Sequence, residues 1–274
     1  MNTQFIKTRP NEADEPFNFT SGNSFAGAAT ARRTENSKIA AQTAKIERYA
    51  RVSHHVLLTG ERGTGKTTIA RQIHDKSVRR KKQFVSLNCA TLSKDIVEAE
   101  LFGYEKGAFT GANQMKAGLF ETGSGGTVFL DEIGELSLNL QAKLLKAVEE
   151  KRIRRVGSAT EIPVDLRVIA ATSRNLQEMT ARGEFRADLY DRLNVLGLNT
   201  IPLREQKEKI RELVIAALER ERVALGRRNS FQIESSAYLL IENYAWTGNF
   251  RELNNFVLKL ATEHPDAEII TRRD

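Results

Sequence analysis

The stretch of sequence that decides the fold reads Gly60-Glu61-Arg62-Gly63-Thr64-Gly65-Lys66-Thr67. It fits the P-loop pattern G-x-x-x-x-G-K-[ST], whose glycines let backbone N–H groups curl around phosphate oxygens. The apolar run His55–Thr59 precedes it, and a helical pattern over Thr67–Val78 follows it. A phosphate loop needs this order of strand, turn and helix, because the N-terminus of the helix adds positive potential at the phosphates. The alternative is a glycine-rich turn that leads into an ordinary helix.

Strand and helix signals alternate beyond this loop, which is typical of an α/β fold with a parallel sheet covered on both faces. A convincing helix spans Leu138–Glu150. Together with His55–Thr59, the predicted strands make a five-stranded sheet, the further four being Phe84–Asn88, Thr127–Asp131, Leu166–Thr172 and the weaker Leu196–Ile201. Such sheets bind ligands at the carboxyl ends of their strands.

The pattern divides the chain into three parts. Residues 1–36 are polar and lack helical periodicity, which predicts a flexible N-terminal segment. Residues 37–204 form the predicted α/β nucleotide-binding subdomain, whose first helix lies near Lys38–Arg51. After Pro202 the pattern is helical, with helices near Ile210–Leu218, Ser235–Tyr244 and Asn249–Glu263. Residues 205–274 are therefore predicted to be a small domain with helices and no strands.

Composition narrows the class of protein. The 274 residues carry a formal net charge of +7, which permits contact with nucleic acid or an acidic protein without proving it. Cys89 is the single cysteine, so an internal disulfide is impossible and a core position is expected. No apolar run approaches the roughly 20 residues that span a bilayer. A cytoplasmic protein without a membrane contact is expected, and the four histidines lack metal-ligand company.

Two carboxylates, Asp131 and Glu132, follow the apolar strand Thr127–Asp131. Beside a P-loop, Asp131 and Thr67 would hold Mg²⁺, Lys66 would reach the outer phosphates, and Glu132 would polarise the attacking water. This combination predicts hydrolysis of a nucleoside triphosphate, although a strand that ends in two acids could simply meet solvent. The predicted phosphate-binding set is Gly60, Glu61, Arg62, Gly63, Thr64, Gly65, Lys66, Thr67 and Thr68.

The run Glu100-Leu101-Phe102-Gly103-Tyr104-Glu105-Lys106-Gly107-Ala108-Phe109-Thr110-Gly111-Ala112 contains G-A-F-T-G-A. It closely resembles the signature loop of sigma-54 activators, the bacterial enhancer-binding proteins, and the resemblance covers about residues 50–270. It implies an AAA+ P-loop NTPase with a helical lid, ATP and Mg²⁺ as cofactors, and a homo-oligomeric ring expected to be a hexamer. In that family the loop grips sigma-54 in RNA polymerase, which implies partner contacts from Gly107, Ala108, Phe109, Thr110, Gly111 and Ala112. A core phenylalanine on a tight turn is the alternative for Phe109.

The same resemblance implies roles for further residues. Asn88 would hold the catalytic glutamate, and Thr172 would lie near the γ-phosphate. Arg186 and Arg192 would enter the neighbouring subunit's site as arginine fingers, and Arg251 would contact the nucleotide from the lid. Arg155-Val156-Gly157 resembles a second insertion loop, which relays the nucleotide state.

Some positions leave alternatives open. Ser173 stands where the family commonly has asparagine, which favours Thr172 as the sensor. Ion pairs with Asp188 and Asp191 are the plainer interpretation of Arg186 and Arg192. No helix-turn-helix domain is seen, so promoter DNA would be reached through partners, or the sequence is an isolated motor.

Two basic clusters lie at Arg79–Lys82 and Lys151–Arg155. Each could contact promoter DNA or form a solvated loop; a solvated loop is favoured for the first, and the second is undecided. Aromatic residues are not interleaved, so a platform that stacks single-stranded bases is not expected.

Three functions follow from these patterns. The favoured one is an ATP-hydrolysing activator that remodels the closed complex of sigma-54 RNA polymerase. A second is an AAA+ remodeller of another protein or of DNA, and a third is a non-hydrolysing regulator that uses ATP to hold an assembly.

Overall fold

The structure is a computed structural model, and it describes residues 29–264 and 269–271. Residues 1–28 of the predicted flexible segment lie outside the described residues. The first helix begins at Ala29 rather than near Lys38, because alanine and arginine favour helix even where apolar periodicity is missing. The helices are α1 (Ala29–Ala50), α2 (Lys66–Asp75), α3 (Lys94–Phe102), α4 (Leu119–Thr122), α5 (Leu138–Glu149), α6 (Leu176–Ala181), α7 (Ala187–Leu193), α8 (Lys207–Ala224), α9 (Ser235–Asn243) and α10 (Asn249–Glu263).

The strands form one five-stranded sheet and three short pairs. They are β1 (Val56–Thr59), β2 (Phe84–Asn88), β3 (Gly103–Tyr104), β4 (Lys116–Ala117), β5 (Thr127–Asp131), β6 (Arg152–Ile153), β7 (Ile162–Pro163), β8 (Arg167–Thr172), β9 (Leu196–Asn199), β10 (Gln232–Ile233) and β11 (Ile269–Ile270). The large sheet has the order β2-β5-β8-β1-β9, and all four pairings in it are parallel. The predicted five-stranded parallel sheet is confirmed.

Both faces of this sheet are covered, as its continuous apolar strands predict. On one face Val56 and Leu58 of β1 pack with Ile69 and Ile73 of α2, next to α1. On the other face the core is built by β1, β5 and β8 with helices α3 to α7, and it includes Leu57, Val128, Leu130, Val168, Ala170 and Cys89. Cys89 is thus a core residue, and burial raises the pKa of its thiol to about 12.

Because the strands are parallel, their carboxyl ends meet at one edge of the sheet. The P-loop follows Thr59 of β1, and Asn88 pairs with Asp131 at the ends of β2 and β5. Thr172 ends β8 opposite Thr59. The chain order therefore places the predicted chemical groups along this single edge.

Two insertions leave the sheet and meet each other. β3 and β4 pair antiparallel and carry the loop that contains Gly107–Ala112, and β6 and β7 form a second antiparallel pair. A β-bridge joins Tyr104 to Val156, and Glu105 N donates to Val156 O at 3.0 Å. The two insertions are consequently coupled through their backbones.

The helical domain after Pro202 packs around α8, α9 and α10, with Ile210, Val214, Trp246 and Val257 in its core. The prediction that strands are absent there is wrong, since β10 and β11 form a short parallel pair. Two-residue strands are too short to show an alternating pattern, so the sequence carries no signal for them. Among the described residues, no helix is long and apolar enough to cross a membrane.

Candidate functional site

The P-loop backbone requires glycine at three positions. Gly60, Gly63 and Gly65 have φ values of 141°, 76° and 82°, which other residues rarely adopt. A Cβ on Gly60 would lie 2.1 Å from Thr200 Oγ1. α2 begins at Lys66, directly after this turn, so its free N-terminal amides face the loop.

Lys66 lies inside the loop and is only 6% exposed. Its Nζ donates to Gly60 O at 2.8 Å and to Glu61 O at 2.9 Å. Burial lowers the pKa of Lys66, and the negative charges of Glu132 and Asp131 oppose that shift. The ammonium therefore lies between the loop and the two carboxylates, where a phosphate would meet it.

The threonines of the loop divide into two roles. Thr64 is buried, and its Oγ1 lies 2.7 Å from Thr200 Oγ1 and donates to Glu61 O at 2.8 Å. Its hydroxyl supports the loop from beneath. Thr67 is exposed and Thr68 half-buried in the first turn of α2. Of the three threonines, Thr67 is the most exposed.

Asp131 and Glu132 leave the end of β5 in different directions. Glu132 has left-handed backbone with φ 51°, and its N donates to Asp131 Oδ1 at 3.0 Å. Burial raises the pKa of Asp131, and the Glu132 charge raises it further. Lys66 partly offsets this effect.

Ser173, and not Asn88, holds the Glu132 carboxylate. Ser173 Oγ lies 3.1 and 2.9 Å from the two Glu132 carboxylate oxygens, and Ser173 N donates to Oε2 at 3.0 Å. Asn88 Nδ2 instead donates to Asp131 Oδ2 at 3.4 Å. The predicted contact between Asn88 and Glu132 is wrong here, because Asn88 is the register partner of Asp131 while Glu132 turns away from the strand.

Thr172 stays a prediction as the residue near the γ-phosphate. It is fully buried, and its Oγ1 accepts a hydrogen bond from Arg174 N at 3.0 Å. Ser173 is the site residue that the sequence analysis set aside. The available signal was its place as the first residue beyond β8, at the edge where the sheet presents its ligands.

The lid lies directly against the P-loop. Phe250 N donates to Gly63 O at 3.0 Å, and a Cβ on Gly63 would lie 2.2 Å from Gly248 O. Arg251 follows in α10, and its charge acts on both Lys66 and Asp131. The predicted nucleotide contact of Arg251 is thus geometrically accessible.

Arg186 and Arg192 are both held in ion pairs within their own chain. Arg186 forms a two-point ion pair with Asp188 at 3.0 and 2.7 Å. Arg192 pairs with Glu149 at 2.9 and 2.6 Å, not with Asp191.

The position of Arg192 follows from strand register. α7 ends just before β9, whose first residue, Leu196, pairs with Val56 at the start of β1. The pKa of His55 is lowered to about 4, first by burial and then by the positive charges of Arg167 and Arg192. Arg192 therefore lies near His55, which precedes β1. Arg192 is therefore at the amino edge of the sheet, and the P-loop of the same chain is at the carboxyl edge.

The loop Gly107–Ala112 closes on itself, since Gly107 N donates to Ala112 O at 2.9 Å. Its tip is open: Phe109 is 46% exposed, and Thr110 is exposed. The Phe109 ring packs edge-on against Tyr104 at 4.9 Å. Phe109 is therefore a surface residue with one aromatic neighbour, and the alternative of a core phenylalanine is wrong.

The basic clusters are partly neutralised by ion pairs. Arg155 binds Glu121 at 2.7 Å and Glu105 at 2.9 Å, which ties the second insertion to the base of the first. Arg152 and Arg154 share Glu161. In the other cluster, Arg79 binds Asp165 at 2.9 Å and Gly126 O at 3.0 Å. Arg79 and Arg155 are therefore structural.

Two protein families match the sequence: the sigma-54 interaction domain over residues 33–199 and the AAA+ ATPase lid domain over residues 204–274. The chain is 49% identical over 226 residues to a Nif-specific regulatory protein of Bradyrhizobium diazoefficiens. The matched region covers 82% of this chain and 38% of that protein. It is 45% identical over 231 residues to the Sigma54-dependent transcriptional regulator SfnR of Pseudomonas fluorescens, over 84% of this chain and 62% of that one.

A solved structure of NtrX from Brucella abortus in complex with ATP has a TM-score of 0.78 and 31% identity, over 91% of this chain and 53% of that one. The chain spans less than two thirds of the length of each of these three proteins. Since the sigma-54 interaction domain alone covers more than half of the sequence, this chain belongs to the family of sigma-54-dependent transcriptional activators, with an AAA+ ATPase domain and its lid.

Proposed function

We propose that this chain binds and hydrolyses ATP between the subunits of a ring and uses the reaction to open the closed complex of sigma-54 RNA polymerase. The observation that carries the proposal is the meeting of Lys66, Asp131 and Glu132 at one edge of the sheet, where Glu132 and Asp131 both act on the Lys66 charge. A purely structural role would not require a buried lysine beside two carboxylates, because burying these charges costs free energy.

The residues at the site fit ATP and Mg²⁺. The Thr67 hydroxyl and the Asp131 carboxylate are the hard oxygen donors that Mg²⁺ prefers. Among the described residues, no group of three His, Cys, Asp or Glu side chains forms a closed metal site, so phosphate oxygens and water would complete the shell. When bound, the ion would neutralise charge on the β- and γ-phosphates.

Glu132 is the proposed general base. Ser173 fixes both of its oxygens, so the carboxylate is oriented before the reaction. It would accept a proton from the water that attacks the γ-phosphorus, and ADP would leave with the charge that Lys66 stabilises.

Arg186 and Arg192 are proposed to complete the site of the neighbouring subunit. Because Arg192 lies at the amino edge, it is far from the P-loop of its own chain and suited to act in trans. Arginine fingers supply about 10³–10⁵ in rate. A closed ring, which we propose to be a hexamer, gives every P-loop such a neighbour.

The exposed tip at Phe109 and Thr110 is the proposed contact with sigma-54, and promoter DNA would be reached through partners. The relatives named sigma54-dependent and Nif-specific regulators support this choice. A protein that acts on RNA polymerase would work in the bacterial cytoplasm.

The test combines two variants with sigma-54 polymerase. Thr110→Ala should keep ATP hydrolysis and lose open-complex formation, because it changes the tip and not the edge of the sheet. Glu132→Gln should bind ATP and lose about 10²–10⁴ in turnover. If Thr110→Ala still opened promoters, the loop would not be the contact. If the native protein also formed no complex with sigma-54 in the presence of ADP–aluminium fluoride, the partner would be a different one.

A further inference from the structure

Asn249 is fully buried at the junction of the lid and the P-loop. It begins α10 in left-handed backbone with φ 55°, and its N donates to Trp246 O at 2.8 Å. Asparagine is among the few residues that tolerate this conformation. The turn therefore selects asparagine, but the backbone alone does not explain where the side chain points.

The Asn249 carboxamide bridges three segments of chain. Its Oδ1 accepts from Leu203 N at 2.8 Å, in the connector between the sheet and the lid. Its Nδ2 donates to Glu61 Oε2 at 3.1 Å and to Arg62 O at 3.0 Å, both in the P-loop. One buried side chain thus fixes the lid, the connector and the phosphate loop relative to one another.

Glu61 is bound to the connector a second time. Arg204 makes a two-point ion pair with its carboxylate at 2.6 and 2.7 Å. The hydrogen bonds from Arg204, and then from Asn249, lower the pKa of Glu61 to about 2. Glu61 therefore remains an anion at physiological pH, and its Oε2 accepts hydrogen bonds from both Arg204 and Asn249.

The same turn carries Arg251 to the loop. Phe250 N donates to Gly63 O, and the Arg251 Cβ lies 3.3 Å from the place a Cβ on Gly63 would occupy. Any shift of Asn249 would move Arg251 relative to Lys66, because only one residue separates Asn249 from Arg251.

We propose that Asn249 is a positioning residue that sets the angle of the lid against the P-loop, and thereby the affinity for ATP. This inference rests on the proposed function, since it assigns a role in the same nucleotide site. Only a side chain that both accepts and donates can satisfy the Leu203 amide and the Glu61 carboxylate together. Aspartate would present a second carboxylate to Glu61, and an apolar side chain would leave the buried Leu203 N–H without its partner.

The experiment compares Asn249→Asp and Asn249→Gly with the native protein. Glycine keeps the left-handed backbone and removes the carboxamide, so its effect isolates the side chain. We expect the dissociation constant of a fluorescent ATP analogue, measured by anisotropy, to rise about ten- to hundredfold in both variants, since each loses a hydrogen bond to a charged group. The emission of Trp246, the only tryptophan, reports whether the lid remains folded.

Two controls separate positioning from loss of fold. Leu218→Ala removes buried side chain from the lid core and should lower the melting temperature without changing ATP affinity. Asn243→Ala, in α9, removes a lid asparagine whose amide donates to Leu239 O and should leave both quantities unchanged.

The outcomes are distinct. The proposal is supported if the Asn249 variants bind ATP more weakly than Leu218→Ala does, although their melting temperatures are no lower than that of Leu218→Ala. Native affinity in Asn249→Gly, or affinity that follows melting temperature across all variants, overturns it. Native protein that binds no ATP would instead refute the proposed function.

Discussion

At the scale of single residues, the site depends on how Glu132 is held. Ser173 supplies a hydroxyl and a backbone amide to its carboxylate, and the left-handed backbone of Glu132 directs that carboxylate away from Asp131. As the proposed general base, Glu132 oriented in this way would need little rearrangement when the water reacts.

Ser173→Ala should lower kcat for ATP hydrolysis about ten- to hundredfold, because a hydrogen bond to a charged group contributes about 1.5–3 kcal/mol. KM should change little, since the hydroxyl contacts the base and not the loop. The check is a steady-state phosphate-release assay, with Ser235→Ala, at the exposed start of α9, as the control. Unchanged kcat would show that the backbone amide alone orients Glu132.

His55 makes stability depend on pH. Its folded pKa of about 4 lies below the ordinary value of 6.5, chiefly because of burial. The unfolded chain therefore takes up a proton first, so the free energy of unfolding should fall as pH drops from 6.5 toward 4, by at most about 3 kcal/mol. His55→Asn can still accept the hydrogen bond from Val168 N, which His55 Nδ1 accepts at 3.0 Å. Urea unfolding at a series of pH values should give a smaller slope for this variant, and an equal slope would exclude His55 as the cause.

At the scale of elements, the P-loop turn is held by contacts that leave no room for a side chain at Gly60. Gly60→Ala should therefore destabilise the protein more than Gly183→Ala. Both positions have positive φ, but nothing lies within 4 Å of a Cβ on Gly183. The control should cost about 1–2 kcal/mol from backbone strain alone, and Gly60→Ala should exceed it. Thermal unfolding measures both, and equal losses would mean that Thr200 moves aside without cost.

The two insertions are expected to move together because Arg155 joins them. Arg155→Ala should make the amides of β3 and β4 exchange hydrogen about 5–30-fold faster, a loss of about 1–2 kcal/mol in local stability. Arg154→Ala is the matched control, since Arg154 is exposed and its ion pair with Glu161 lies within the second insertion. Equal protection in both variants would show that the backbone bridge is sufficient.

Much of the sheet could be predicted from the sequence. β2 and β5 have the predicted bounds because each is a short apolar run between turn residues, and parallel order brings their ends together. What could not be predicted depends on side-chain direction. Thr172 and Ser173 are neighbours with similar hydroxyls. The backbone conformation at the end of β8 determines that the Ser173 hydroxyl, and not that of Thr172, faces Glu132. The pairing of Asn88 with Asp131 likewise follows from strand register, which a local pattern does not encode.

At the scale of the whole molecule, we expect each complete site to need residues from two chains. Lys66 and Glu132 lie at the carboxyl edge of the sheet, and Arg192 lies at the opposite edge. Turnover should therefore rise with protein concentration as subunits assemble, and a fixed turnover per chain at all concentrations would contradict assembly.

The most direct test of the central claim mixes two variants that should each be inactive, Lys66→Ala and Arg192→Ala. An Arg192→Ala subunit keeps an intact P-loop, and a Lys66→Ala subunit keeps an intact Arg192. Where these two subunits are neighbours in a mixed ring, their interface can therefore hold one complete site. Phosphate release should therefore reappear on mixing, while each protein alone stays inactive. If the mixture remains as inactive as its parts, although native polypeptide is shown to exchange into the same rings, the shared-site account is contradicted.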